Sequence, residues 1–309
     1  MTSPTPDAPA NAGRRAEGRR TWWRTVLTVG PGAAWLVVFL LLPLGAVAVT
    51  SFLSRGDYGE IGRPGTFENY RRLAGFGALG FDSLYPAILG RSLLLGAATA
   101  AACLAGGLPL AFFIAGLPAR WKTPALTLVV IPFWTNLLIR TYAWQLLLGP
   151  GGWITRLVHA AGIGAPGEPL YPGVFAVGLG MVCDYLPFLV LPLYASVEKL
   201  DWSLADAARD LGASGSRVFR HALWPQILPG VRAGWVLVFL PATGQFVIPD
   251  LLGGAKTVLL GGAIDQQFRQ SRDWPFGAAI ALAALVLVLF GMAWSARRQP
   301  ASPGTEAVR

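Results

Sequence analysis

Three stretches of this chain run without a single ionisable side chain: 25–54 (30 residues), 92–119 (28 residues) and 274–296 (23 residues). A helix needs about 20 mostly apolar residues to cross the hydrocarbon core, so each stretch is long enough to span a bilayer. Three further apolar stretches are shorter or carry one charge: 123–148 with Arg140 inside, 171–197 with Asp184 inside, and 233–249. The pattern predicts an all-α membrane protein with six transmembrane helices near 30–53, 90–116, 124–148, 171–196, 231–251 and 274–296, together forming one membrane domain over 25–297. Only 13% of the 309 residues are charged, against about 25% in an average soluble domain, which excludes a soluble globule. Prolines at 43, 109, 132, 187, 192 and 241 would break soluble helices but are tolerated in membrane helices packed against neighbours.

The first span imitates a signal peptide, because five arginines between Arg14 and Arg24 precede an apolar run ending Ala46-Val47-Ala48. That run is 19 residues long from Val26 to Leu44, beyond the 7–15 of a signal core, so it is expected to remain as an anchor. Residues 1–24, rich in Pro, Ala, Gly and Arg, are expected to be a disordered basic tail, and 298–309 a second tail. The net charge of +9 is unevenly placed. With six spans, both termini, the 117–123 loop and the 198–232 loop hold 15 Lys and Arg, and the opposite loops hold 9, giving net charges of +8 and +1. Positive loops stay inside, so the termini and the 198–232 loop are expected to be cytoplasmic. Nucleic-acid binding is then unnecessary to explain the basic balance.

Other chemistry finds little support. Gly75-Phe76-Gly77-Ala78-Leu79-Gly80 fits a dinucleotide pattern but lacks the strand before it, the helix after it and the later acid that such a site needs; a flexible external loop is expected instead. Gly253-Gly254-Ala255-Lys256-Thr257 departs from a phosphate loop at both required glycines. His159 and His221 fall on opposite predicted sides of the membrane and cannot share a metal. Cys103 and Cys183 lie in apolar runs, where free cysteine behaves as a small hydrophobe.

The 198–232 segment is the most informative, since a polar connection of this length usually has a task. Ser203 and Asp206 form a capping-box-like pair that predicts a helix start at Ser203. Leu204, Ala207, Ala208 and Leu211 recur at helical spacing, with Asp206, Arg209 and Asp210 on the other side. Gly212 ends the helix in a sharp turn, and a second amphipathic stretch follows from 216 to Pro225, with Val218, Phe219, Ala222 and Leu223 on one face. The product is a short helical hairpin with a small-residue apolar face, suited either to close approach by another protein or to lying on lipid headgroups.

Here a resemblance emerges. Asp206-Ala207-Ala208, then Gly212, then Pro225 resembles the EAA loop of permease subunits in ATP-binding-cassette importers, with Asp206 for Glu, Ala222 for Ile and Trp224 for Leu. The segment from Ile131-Pro132-Phe133-Trp134 through Arg140 to Trp144 is similar to one in the spermidine/putrescine permease family. So are Leu186-Pro187-Phe188, Leu191-Pro192-Leu193-Tyr194-Ala195-Ser196, the run from Gly244 to Gly254, and Arg272-Asp273-Trp274-Pro275. The likeness covers about 32–294.

It implies a type I importer permease fold and a transport subunit that is not itself an enzyme. Implied partners are an ATPase dimer carrying the ATP and magnesium, a second and related permease, an extracytoplasmic solute-binding protein and the bilayer. This chain would hold no cofactor. The hairpin residues Asp206, Ala207, Ala208, Leu211, Gly212 and Pro225 would meet the ATPase. The implied cargo is a polyamine, with ferric iron, an opine or another organic solute as the alternative within the same architecture and a stand-alone secondary transporter as the alternative outside it. Arg140 and Asp184 are the only ionisable residues inside the expected spans, and such charges either pair or face a cavity. Asp184 and Tyr185, with Trp134, Arg140, Tyr142 and Trp144, are therefore candidates to line the path, and a structural Arg140–Asp184 tie between spans three and four is the competing expectation.

Overall fold

The computed structural model describes residues 10–56, 60–62, 65–77, 80–162, 169–254 and 258–297. The first helix, α1 (Ala10–Ser51), begins well before the expected span. Residues 10–24 are thus helical and not a structureless tail: Ala, Arg and Glu dominate this stretch and are good helix formers. The expected disorder at 1–9 and the tail at 298–309 fall outside the described residues. A small outer segment follows: the antiparallel pair β1 (Ser54–Arg55) and β2 (Ile61–Gly62), a short helix α2 (Glu68–Leu73), and a second pair, β3 (Phe76–Gly77) and β4 (Gly80–Phe81). The glycine pattern at 75–80 therefore belongs to a hairpin, not to the irregular loop that was expected.

Next come α3 (Leu84–Ala115), α4 (Ala119–Val130), a 3-10 turn at Ile131–Trp134 and α5 (Leu137–Leu148). The expected third span is broken here, with α4 and the turn bent by 91° from α5. Pro132 lies in the turn, Thr135 is extended, and Asn136 caps α5 by accepting from the Leu138 amide at 2.8 Å. A short α6 (Trp153–Ala160) leads to α7 (Val174–Val197) and α8 (Trp202–Asp210). From α9 (Gly215–Val218) the chain passes through a π-helical turn at Phe219–Leu223 into α10 (Trp224–Gly244) without leaving the helix. The fifth span is consequently 215–244, earlier and longer than expected, and it stops at Gly244. Gln245 is extended, its carboxamide oxygen takes the Phe246 and Val247 amides, and α11 (Val247–Gly253) starts as a separate helix. Finally α12 (Leu260–Arg269) and α13 (Trp274–Arg297) complete the described chain.

Five helices are long and apolar enough to cross a membrane, and the bent α4–α5 pair makes six. The core lies where α3, α7 and α10 meet, around Ala100, Cys103, Met181, Leu189, Leu193, Ile227 and Val238. Without a hydrophobic driving force between helices in lipid, small residues let backbones approach and gain dispersion contact. Gly230 and Gly234 of α10 do this against α7: a Cβ on Gly230 would lie 2.7 Å from the Pro192 carbonyl oxygen, and one on Gly234 3.2 Å from Leu189 Cα. At the outer end, Asn69 donates to the Ser51 and Leu53 carbonyls, and Arg72 pairs with buried Asp273 at 3.0 Å while lying over the Phe276 ring. These contacts clamp α2 across the ends of α1 and α13.

Candidate functional site

Two places gather the functional candidates, one beside the membrane bundle and one within it. The first is the hairpin at the end of the bundle formed by the C-termini of α3 and α7. The α8 helix starts at Trp202 and not at Ser203, because Asp201 is the cap: its carboxylate accepts from the Ser203 amide at 3.0 Å and from the Ser203 hydroxyl at 2.6 Å. Asp201 and Ser203 are both good capping residues; Asp201 wins because it captures Ser203 as its donor. Those bonds hold the Asp201 carboxyl below the usual range. Gly212 has φ +76°, and the amides of Leu211, Gly212 and Ala213 close on the Ala207, Arg209 and Ala208 carbonyls, so the predicted helix stop is present.

The inward face of α8 is narrower than expected. Ala205 is buried and Ala208 half-buried, whereas Leu204, Ala207 and Leu211 are exposed, Leu211 to 90%. Asp206 and Arg209 pair with each other at 2.9 Å on the exposed side. Val218 and Leu223 are buried and Phe219 and Ala222 partly so, which fastens the second limb to the bundle as its spacing predicts. Pro225 is exposed in the first turn of α10. Gln226, which sequence reasoning misses, bridges the limbs: its amide donates to the Ala222 carbonyl at 2.8 Å, and its oxygen accepts from the Asp201 amide at 3.0 Å. Lys122 at the start of α4 pairs with Glu198 at 2.9 Å, and the Lys122 and Tyr194 hydrogen bonds lower the Glu198 carboxyl. A cavity of about 320 Å³ lies beside this pair, lined also by Phe112 and Trp202.

The second place is inside the membrane-spanning bundle. Arg140, in the first turn of α5, forms an ion pair with Asp184 of α7. The side chains are 15% and 8% exposed, so water screens the pair little. Arg140 also donates to the Pro132 carbonyl at 2.6 Å and sits 5.9 Å from the Phe133 ring centre, both in the break between α4 and α5. Phe133 meets Phe188 edge to face. Tyr185, buried beside Asp184, accepts a hydrogen bond from the Gln245 amide at 3.1 Å, and Gln245 is the residue that caps α11. Gln145 of α5 donates to the Leu251 carbonyl of α11 at 2.7 Å. Of the other candidates, Trp134 and Tyr142 are exposed on the open side of the break (78% and 52%), and Trp144 packs partly buried against the core. The structure thus gathers Arg140, Asp184 and Tyr185 at one node. Gln145 and Gln245 join them; an amide inside an apolar span was the available signal, because such a group must find a partner in lipid.

Comparison with known proteins adds three findings. Residues 106–300 match the family described as "Binding-protein-dependent transport system inner membrane component". The chain is 41% identical over 266 residues to the spermidine/putrescine transport system permease protein PotB of Escherichia coli (strain K12), covering 85% of this chain and 94% of that protein. Among solved structures it is similar to a chain of a bacterial ABC transporter involved in the import of the acidic polysaccharide alginate, with a TM-score of 0.66, 17% identity, and coverage of 93% of this chain and 100% of the other. A second structure of a bacterial alginate ABC transporter, in complex with an alginate-pentasaccharide-bound periplasmic protein, matches with a TM-score of 0.63 at 16% identity, covering 91% of this chain and 96% of that one. At these identities the two structures speak for the fold alone.

Proposed function

Because the chain belongs to the binding-protein-dependent transport system inner membrane component family, we propose that it is the permease subunit of an ATP-driven importer that conducts polyamines such as spermidine and putrescine. The observation that carries the cargo assignment is the 41% identity, over nearly the whole of both chains, to a permease of that named substrate class. The fold supports the transport role through six membrane crossings in which the charges of α5 and α7 meet as a pair. The subunit works with a second, related permease, an ATPase dimer that holds ATP and magnesium, and an external solute-binding protein.

The α8 hairpin supplies the motor contact. Leu204, Ala207 and Leu211 present a small apolar stripe, and the Asp206–Arg209 pair beside it fixes docking register, since rim charges contribute specificity more than affinity. Gln226 and the Lys122–Glu198 pair pass movement of the hairpin to α10 and α4. The +8 and +1 charge partition orients the hairpin and both termini to the cytoplasm. Arg140, Asp184 and Tyr185, with Trp134, Tyr142 and Trp144 around them, lie along the path, where aromatic faces and a carboxylate suit a protonated amine. The test is growth on a polyamine of cells lacking other polyamine uptake and synthesis, supplied with this chain and its partner subunits. Growth with the full set and none with this chain alone is expected; growth supported by the chain alone would make it a stand-alone transporter.

A further inference from the structure

Two breaks in membrane helices converge on one turn of α7. The α4–α5 break reaches it through Arg140 to Asp184, and the α10–α11 break reaches it through Gln245 to Tyr185. Non-helical backbone at membrane depth is tolerated only where protein or a water-filled cavity adjoins it, and discontinuous helices in transporters mark the place where solute is handled. We infer that Arg140 is a tethered counter-ion, which occupies Asp184 while the path is empty and is displaced one-for-one by an ammonium group of the passing polyamine. This rests on the polyamine assignment above.

The geometry gives Arg140 somewhere to go. A buried carboxylate needs a cation at all times, because an uncompensated charge in a low-dielectric site is costly. Arg140 is already held a second way, by the Pro132 carbonyl and the face of Phe133, on its own side of the break. On leaving Asp184 it keeps an acceptor and a ring. An incoming ammonium finds at Asp184 the same carboxylate, with Tyr185 and Phe188 beside it and Phe133 against Phe188. Like charges prevent both cations from staying, so exchange leaves the charge of the node unchanged and returns when Arg140 swings back. Thr135 and Asn136, outside regular helix, are the hinge that lets the start of α5 move relative to α4.

The experiment uses the whole importer in proteoliposomes, with the unmodified complex first shown to take up radiolabelled spermidine; if it does not, the cargo assignment fails and not this inference. Arg140→Gln, Asp184→Asn and the double variant are then compared at equal amounts of assembled complex. The exchange model predicts that Asp184→Asn and the double variant each lower uptake about tenfold or more, the scale of losing one charge-assisted contact. It also predicts that Arg140→Gln lowers uptake while retaining label on the complex, because nothing displaces the bound amine. If the pair is only a structural tie, the double variant, which leaves no orphaned charge, restores uptake to the unmodified level, and Arg140→Gln retains no label; either result overturns the inference.

Discussion

Arg140 and Asp184 are two residues that neither helical periodicity nor helix propensity would place together, yet each constrains the other. Truncating one leaves a buried charge, a loss of about 3–5 kcal/mol in comparable pairs. Arg140→Leu is therefore expected to lower the thermal midpoint of the purified complex sharply, as measured by loss of the monodisperse peak after heating, while Arg91→Leu, outside the node, leaves it unchanged. Asp201 makes a gentler claim. Its carboxyl is depressed by the two Ser203 hydrogen bonds, and a group depressed in the folded state stabilises fully above its unfolded pKa, then loses that contribution as pH falls through the lower folded value. The cap is thus insensitive near neutrality. Hydrogen exchange at the Ser203 amide, normalised to its unstructured rate, is predicted to stay flat down to about pH 4 and to rise below it; Asp201→Asn, which caps without titrating, should show no such rise.

Among the elements, the hairpin and the α7–α10 seam can be probed separately. Gly212 sits at φ +76°, and proline locks φ near −65°. Gly212→Pro is accordingly expected to leave membrane insertion intact and abolish solute-coupled ATP hydrolysis, with Asp206→Arg giving a weaker version of the same defect. In the seam, Gly234→Leu forces a side chain against Leu189 backbone and is expected to destabilise by about 1–3 kcal/mol, as overpacking does; reduced recovery of assembled complex is the measure. A Cβ added at Gly90 would meet nothing within 4 Å, so Gly90→Ala is expected to be neutral or slightly stabilising. Much of this layer was legible in the sequence. Spans appear as gaps between charges, since lipid excludes charge regardless of conformation, and the hairpin stop is written in Gly212. The breaks were not legible, because Pro132 resembles the tolerated prolines at 109 and 187, and only the amide partners of Asn136 and Gln245 reveal where helix yields. The helix start shifts from Ser203 to Asp201 as the cap because both side chains are good caps and their mutual hydrogen bond is a local detail of one turn.

The molecule as a whole is built so that two regions with little apolar packing, the broken α4–α5 limb and the α8 hairpin, hang from a close-packed α3–α7–α10 core. Low-stability elements attached to a rigid frame are those that move in functional transitions, and here one faces a motor and the other a cation site. The Lys122–Glu198 pair joins them at the start of α4. What the sequence could not convey at this scale is which face meets the second permease, since an apolar helix face looks alike toward lipid and toward protein. The central claim is that this frame turns ATP hydrolysis into polyamine import. Its most direct measurement is uptake of radiolabelled spermidine into proteoliposomes holding the complete importer, with ATP enclosed on the hairpin side and the binding protein outside. The account predicts concentrative uptake that requires ATP, is suppressed by unlabelled putrescine or spermidine and is indifferent to ferric iron and opines. Uptake without ATP, or inhibition by those other solutes and not by polyamines, would contradict it.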